Sequence, residues 1–471
     1  MASMKRFQGA LGLLLLGSGC MATGDDPTGV LSQATSIAAS TSLTAAMPSP
    51  TGSFQTFTAS GTIDTTNAFF QSLGSNGRAC VHCHEPQDAW TITPAHVLAR
   101  FNATTPKGTD PIFRTNDGSN SPLADVSTEA ARQTAYSMLL TKGLIRVGIG
   151  IPDGADFELL AVDDPYHYAS AVELSLFRRP LPSTNLTFLA TVMWDGRETF
   201  AGQTIGFDLA DQANGATLGH AQAVLPLDGT SDTSIVTFET SLFTAATVDD
   251  AAGNLSAKKG NGGPAVLATT PFHIGINDVL GNDPAPGHPP FTPNVFMIYD
   301  GWSDAADKVQ GTDAGRGAVY RGEKLFNTRP ITITGVNGLN DALGQPSIAG
   351  TCTTCHDTPS SGNHSVGLPI DIGLASASLR TPDMPLYTLR NKRTLATVQT
   401  TDPGRALITG RYADIGKFKG PILRALSARA PYFHNGFAAT LDDVVTFYDS
   451  RFALGLTAQE HADLVAFLRT L

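Results

Sequence analysis

Two short runs, Cys80-Val81-His82-Cys83-His84 and Cys352-Thr353-Thr354-Cys355-His356, each place two thiols three residues apart with an imidazole directly behind the second. Thiols at that spacing form thioethers to the two vinyl groups of one haem, and the following histidine ligates the iron from one face. Each run therefore reads as a c-type haem attachment site. Cys80, Cys83, Cys352 and Cys355 are the covalent anchors, and His84 and His356 are the iron ligands. A four-cysteine zinc site or a pair of redox disulfides would use the same cysteines, but neither needs a histidine behind both pairs. His82, inside the first run, reads as a surface residue.

The chain has five cysteines, and these motifs use four, leaving only Cys20 and none for a structural disulfide. Residues 1–20 read as an export signal: Lys5-Arg6 precede an apolar stretch from Phe7 to Leu16 that is too short to span a bilayer. The stretch ends Leu16-Gly17-Ser18-Gly19-Cys20, similar to a bacterial lipobox in which Cys20 would be acylated. Ordinary cleavage near Gly19 or Ala22 is the alternative. Either way the expected location is the periplasm or cell envelope, where c-type attachment and oxidising conditions coincide.

The 471 residues are 41% hydrophobic with 47 glycines and 29 prolines, enough for two or three cores joined by ordered loops. A net charge of −11 with no Lys/Arg run longer than two gives phosphate backbones nothing to bind, which excludes nucleic acid as a partner. The acidic surface either steers a basic electron donor or simply keeps the protein soluble.

Residues 21–61, rich in Ser, Thr and Ala without apolar periodicity, read as a flexible tether. A first domain is expected over 62–313, with Phe69, Phe70 and Leu73 leading into the first motif, and a second over 314–471. The second opens with an amphipathic helix from Gly315 to Phe326. It closes with another from Leu456 to Arg469, where Thr457 and Glu460 form a capping box. Stretches 100–190 and 220–310 lack strong periodicity. The expected fold is mainly α, with two cytochrome c-type domains carrying loop-rich insertions.

Met193-Trp194-Asp195-Gly196-Arg197, and Ala430-Pro431-Tyr432-Phe433-His434-Asn435-Gly436 with the helix after it, resemble segments of the bacterial di-haem cytochrome c peroxidase family, which includes enzymes of the MauG type. The resemblance implies a peroxidase. Hydrogen peroxide would be reduced at the first haem, with electrons from a small donor protein, a cytochrome or cupredoxin, entering at the second. The alternatives are a MauG-like oxidase of a protein or organic substrate, and an electron-transfer cytochrome without turnover.

Within that resemblance Trp194 is the electron relay between the irons, with a core aromatic as the plain alternative, and Arg197 pairs a haem propionate. The family's methionine ligand, fourteen residues after the histidine of the second segment, is Tyr448 here, as in the MauG-like branch. His96 stands where a displaceable ligand of the first iron is expected. The family's Gln and Glu, about ten and twenty residues after the tryptophan, map onto Gln203 and Asn214. The missing carboxylate makes His220 the candidate acid–base group. The family's calcium, held by an Asn side chain and by carbonyls on either side of the residue before Pro-Tyr, meets Arg179 at the Asn position.

Overall fold

The computed structural model describes residues 43–104, 110–284, 287 and 289–471, and Ser42–Leu471 form one compact unit. The export signal and Cys20 lie outside the described residues. The architecture corrects the expectation of a mainly α protein: 31% of the chain is helix and 15% strand, a mixed α/β arrangement with several small sheets. Five of the eleven strands among the described residues sit in the stretches that lacked periodicity. Leu174–Arg178 is buried at every position, so it shows no alternation from which a strand could be read.

The largest sheet is antiparallel and joins Met47–Ser49, Gly52–Phe57, Phe243–Asp249 and Gly253–Asn254. Part of the expected tether is therefore folded. Phe54 is fully buried, and Thr56 shares a hydrogen bond with Thr244, so this short stretch supplies a core edge that its polar composition concealed. A second sheet pairs Phe157–Asp163 with Leu386–Asn391, and the latter with Thr397–Thr400. Its core, Phe157, Leu174, Leu176, Tyr387 and Leu389, draws on both expected halves of the chain.

The helices that frame the second motif match the sequence pattern closely. Gly311–Thr328 packs against Ala458–Arg469 through Val319, Phe326, Leu464 and Phe467. The crossing is tight: a Cβ on Gly322 would lie 1.9 Å from the Asp463 carbonyl oxygen. Arg321 grips both Asp463 carboxylate oxygens at 2.8 Å beside it. At the start of the closing helix Thr457 Oγ1 accepts from the Glu460 N–H, while Glu460 returns the bond to the Thr457 N–H at 2.8 Å.

Candidate functional site

Both cysteine motifs fold into the same turn. Cys80–His82 and Cys352–Thr354 are single 3₁₀ turns, and in each the histidine N–H donates to the first cysteine's carbonyl, at 3.0 and 3.1 Å. His84 Nδ1 donates to the Trp90 carbonyl at 3.2 Å, and His356 Nδ1 to the Gly362 carbonyl. Tying down Nδ1 leaves Nε2 as the nitrogen aimed at a metal. Burial lowers both imidazoles to about 4, so both are neutral and able to ligate.

Each histidine faces a cavity. The first is bounded by Cys80, Cys83 and His84 together with Leu186, Leu209 and Ile235; the second by Cys352, Cys355 and His356 with a larger aliphatic and aromatic lining. The sites fit haem on two counts. The linings are apolar enough for a macrocycle, and three buried cations beside them have no carboxylate ion-pair partner among the described residues. Burial lowers Lys419 to about 7 and Arg179 and Arg429 each to about 10. Uncompensated buried cations call for anions in the cavity, and haem propionates are carboxylates.

Trp194 belongs to the wall between the cavities and lines both, together with Arg179, Leu181, Lys419 and Ile422. Its placement is over-determined. The Met193–Gly196 turn closes with a 3.2 Å hydrogen bond, and Gly196 at φ +70° adopts a backbone conformation that favours glycine, with the Arg405 guanidinium and Thr191 crowding the place of a Cβ. Trp194 Nε1 donates to the Arg179 carbonyl at 2.8 Å, and its own carbonyl accepts from the Lys419 N–H at 2.9 Å. Next door Asp195 is fully buried and is paired with Arg178 at 2.6 Å and Arg197 at 3.0 Å. Arg197 also lines the first cavity.

The first cavity gathers acid–base groups. His220, just beyond the helix Ile205–Gly219, lines it and is bonded through Nδ1 to Asp117, which is paired in turn with Arg78. Burial alone would raise the Asp117 carboxyl, but His220 and Arg78 together hold it below its ordinary value. Glu239, from the helix Gly229–Thr240, also lines this cavity. It is 5% exposed, its Oε2 has no hydrogen-bond partner, and burial pushes it up to about 7.

In the second cavity one face of the helix Leu441–Phe452 presents Leu441, Val444, Val445, Tyr448 and Phe452, a stripe at helical spacing. Tyr448 thus lines the second cavity, and burial raises its phenol further above its already high ordinary value. His364 also lines this cavity. Its Nδ1 is 2.9 Å from the buried Asp357 carboxylate and its Nε2 is unpartnered.

Two expected site residues lie elsewhere. His96 is on the helix Pro94–Thr104, its side chain 46% exposed and bonded to Asp88 at 2.6 Å, and it lines neither cavity. Gln203 is exposed just before Thr204, the N-cap of the helix Ile205–Gly219, so its side chain is left in solvent; Gln212, two turns into that helix, reaches the first cavity. Asn214 caps the Leu227 N–H at 2.8 Å. Sequence reasoning missed Asp117, Arg78, Glu239 and Lys419. Asp117, Glu239 and Lys419 are remote from both cysteine motifs, Asp117 being 103 residues from the histidine it orients, and Arg78, two residues before Cys80, belongs to no pattern that marks it.

No protein-family model matches the sequence. Among curated proteins, the cytochrome-c peroxidase IdrP2 of Denitromonas iodatirespirans is 37% identical over 136 residues, 26% of this chain and 36% of that protein. IdrP1 of the same organism is 35% identical over 143 residues, with the same shares. The cytochrome c551 peroxidase of Nitrosomonas europaea is 41% identical over 76 residues, 16% of this chain and 23% of that protein. A solved MauG-like protein associated with microbial copper homeostasis shows 18% identity and a TM-score of 0.33, covering 64% of this chain and 76% of that one. The match spans about a third of the length of the first two relatives, 36% in each. Over those matched stretches, the sequence is similar to curated cytochrome-c peroxidases.

Proposed function

We propose that the chain is an oxidoreductase carrying two c-type haems, which reduces hydrogen peroxide at the Cys80 cavity with electrons that enter at the Cys352 cavity. The observation that carries this is Trp194 in the wall shared by the two cavities. Haem, when bound in each cavity, supplies an iron that accepts and gives up single electrons. The indole of Trp194 shortens the path between the two sites. Its Nε1–H, held by the Arg179 carbonyl, fixes the ring across that path.

Turning peroxide into two waters takes two electrons and two protons, and one proton must move from one oxygen to the other as their bond breaks. His220 is placed for this. Asp117 holds its Nδ1–H, so Nε2 is the basic nitrogen toward the cavity; it accepts the proton and returns it to the departing oxygen. Arg78 keeps Asp117 ionised and immobile through its carboxylate contact and through bonds to the Pro111 and Ile112 carbonyls at 2.8 and 2.7 Å. Arg197, Lys419 and Arg429 neutralise propionates. Electrons come from a small donor protein, a cytochrome or cupredoxin, in the periplasm or cell envelope.

The test is peroxide-dependent oxidation of a reduced donor protein by the holoprotein, with Trp194→Phe beside the wild type. Steady turnover should fall by about tenfold or more while both haems remain attached, since the phenyl ring keeps the packing but is a poorer relay. Wild-type turnover in the Phe variant would remove the relay. Two six-coordinate low-spin haems and no turnover in the wild type would leave only electron transfer. A MauG-like oxidase acting on a protein or organic substrate is the second reading, favoured by Tyr448 in the ligand position of the second cavity.

A further inference from the structure

Arg179, which lines both cavities, is hydrogen-bonded to four other segments of the chain. Its N–H donates to the His434 carbonyl at 2.7 Å and its carbonyl accepts from Trp194 Nε1 at 2.8 Å. Its guanidinium donates to the Lys142 carbonyl at 3.1 Å and to the Arg429 carbonyl at 3.0 Å. The side chain is 5% exposed, and its polar partners are carbonyl oxygens rather than a carboxylate. Space is reserved for it: Gly143, at φ +61°, would put a Cβ 2.2 Å from Arg179 Nη1.

Carbonyl oxygens converging on a positive charge are what a calcium ion also requires. The Arg429 carbonyl belongs to the pair that flanks Ala430 ahead of Pro431-Tyr432, where the resemblance implies calcium, and Arg179 replaces the Asn that would complete the ion's shell. The residues present do not fit calcium there. A guanidinium already occupies the carbonyl, and no group of three or more His, Cys, Asp or Glu suited to a metal exists among the described residues.

We infer that the Arg179 guanidinium is a built-in cation in place of an exchangeable calcium, making it a positioning residue that holds the Lys142 segment, the Arg429–Pro431 segment and Trp194 in register without a metal. Even with burial lowering it to about 10, the group stays charged at neutral pH. The inference uses the family likeness only for where the ion would sit, and it does not depend on the peroxidase reading.

The experiment is metal analysis and thermal unfolding of the holoprotein after dialysis against a chelator, with and without added calcium, for wild type, Arg179→Asn and Arg179→Lys. The wild type should hold well below one calcium per chain, with a Tm that neither chelator nor calcium moves. Arg179→Asn should melt several degrees lower, recover part of the loss when calcium is added and then hold one calcium per chain. Arg179→Lys should lose less and ignore calcium. A wild type that keeps one calcium per chain, or whose Tm falls on chelation, overturns the inference. So does an Asn variant that is destabilised yet indifferent to calcium. Should the Asn variant fail to fold, the wild-type metal content and the Lys variant still decide. Each readout is independent of turnover, so an absence of peroxidase activity would not count against Arg179.

Discussion

Around Cys80 the cavity wall carries His220 backed by Asp117 and Arg78, with Glu239 close by, whereas around Cys352 it is mostly aliphatic and aromatic, with Tyr448 on a helix face above it. Up to the histidine the two sites are built alike: the same 3₁₀ turn, the same Nδ1-to-carbonyl bond, the same neutral imidazole. What differs is the far side. On the proposed reading His220 moves protons in the first site while the second passes electrons, and the His364–Asp357 pair in the second cavity is the residue set that this division must leave idle. The shared wall of Trp194, Arg179 and Lys419 makes the two sites one device.

The harshest test of that comparison removes one side of it. Replacing Cys352 and Cys355 together with Ser should abolish covalent haem at the second cavity and leave the first, halving the haem retained after acid-acetone extraction; two covalent haems in that variant would refute the pairing. Next in size, His220→Ala should slow peroxide consumption by about 100-fold or more, and Asp117→Asn by about tenfold through the wrong tautomer. Tyr448→Phe should leave the peroxide-binding step unaltered. Equal losses in all three variants would erase the proposed division.

The axial position supplies the third test. Tyr448→Phe should alter the spectrum and raise the potential of the second haem only. Tyr448→Met should raise it further, by about 100–300 mV, because ligand identity alone tunes haems over about 0.8 V. Redox titration followed at both haems would read this, and an unmoved second haem would make Tyr448 a packing residue.

A fourth prediction concerns Glu239, whose carboxyl is raised from an ordinary 4.5 to about 7 by burial. The folded protein keeps that proton where the unfolded chain has lost it. Stability should therefore decline as pH rises from about 4.5 to about 7, by about 3 kcal/mol in all. Glu239→Gln should flatten that slope in chemical unfolding at pH 5 and pH 7.5, and an unchanged slope would show the group is ionised in the fold. Smallest is Lys419→Met: removing a cation that borders both cavities should lower both potentials by ~60 mV, one tenfold change for a one-electron couple. A shift at one haem alone would show that the wall is not shared.

How much of this could be read from the chain depended on distance along it. The attachment motifs were legible because their chemistry lies within five residues, and the two framing helices because stripe and capping box are local signals. Trp194 and Tyr448 were found through the resemblance and by counting from His434, and the structure puts both on cavity walls. Gln203 and His96 were placed by counting too, but a count does not say which way a side chain points; both face solvent. Asp117 left no trace because its partner is remote. Leu174–Arg178 was missed because a fully buried strand has no polar face to alternate with, whereas Ile331–Thr334 does alternate but over only four residues.

The pairing of Phe157–Asp163 with Leu386–Asn391 sets an order on how the molecule is made. Glu158 and Arg390, bonded across that sheet at 2.8 Å, are separated by 232 residues, so the earlier strand must wait for most of the remaining chain before its partner exists. Through that interval the Cys80 and Cys83 thiols have already been synthesised, and the apolar clusters they join draw only on residues 63–242, while the core of this sheet is still open. Covalent attachment at the first motif can therefore precede closure of the fold around it, and the last third of the chain acts as the latch.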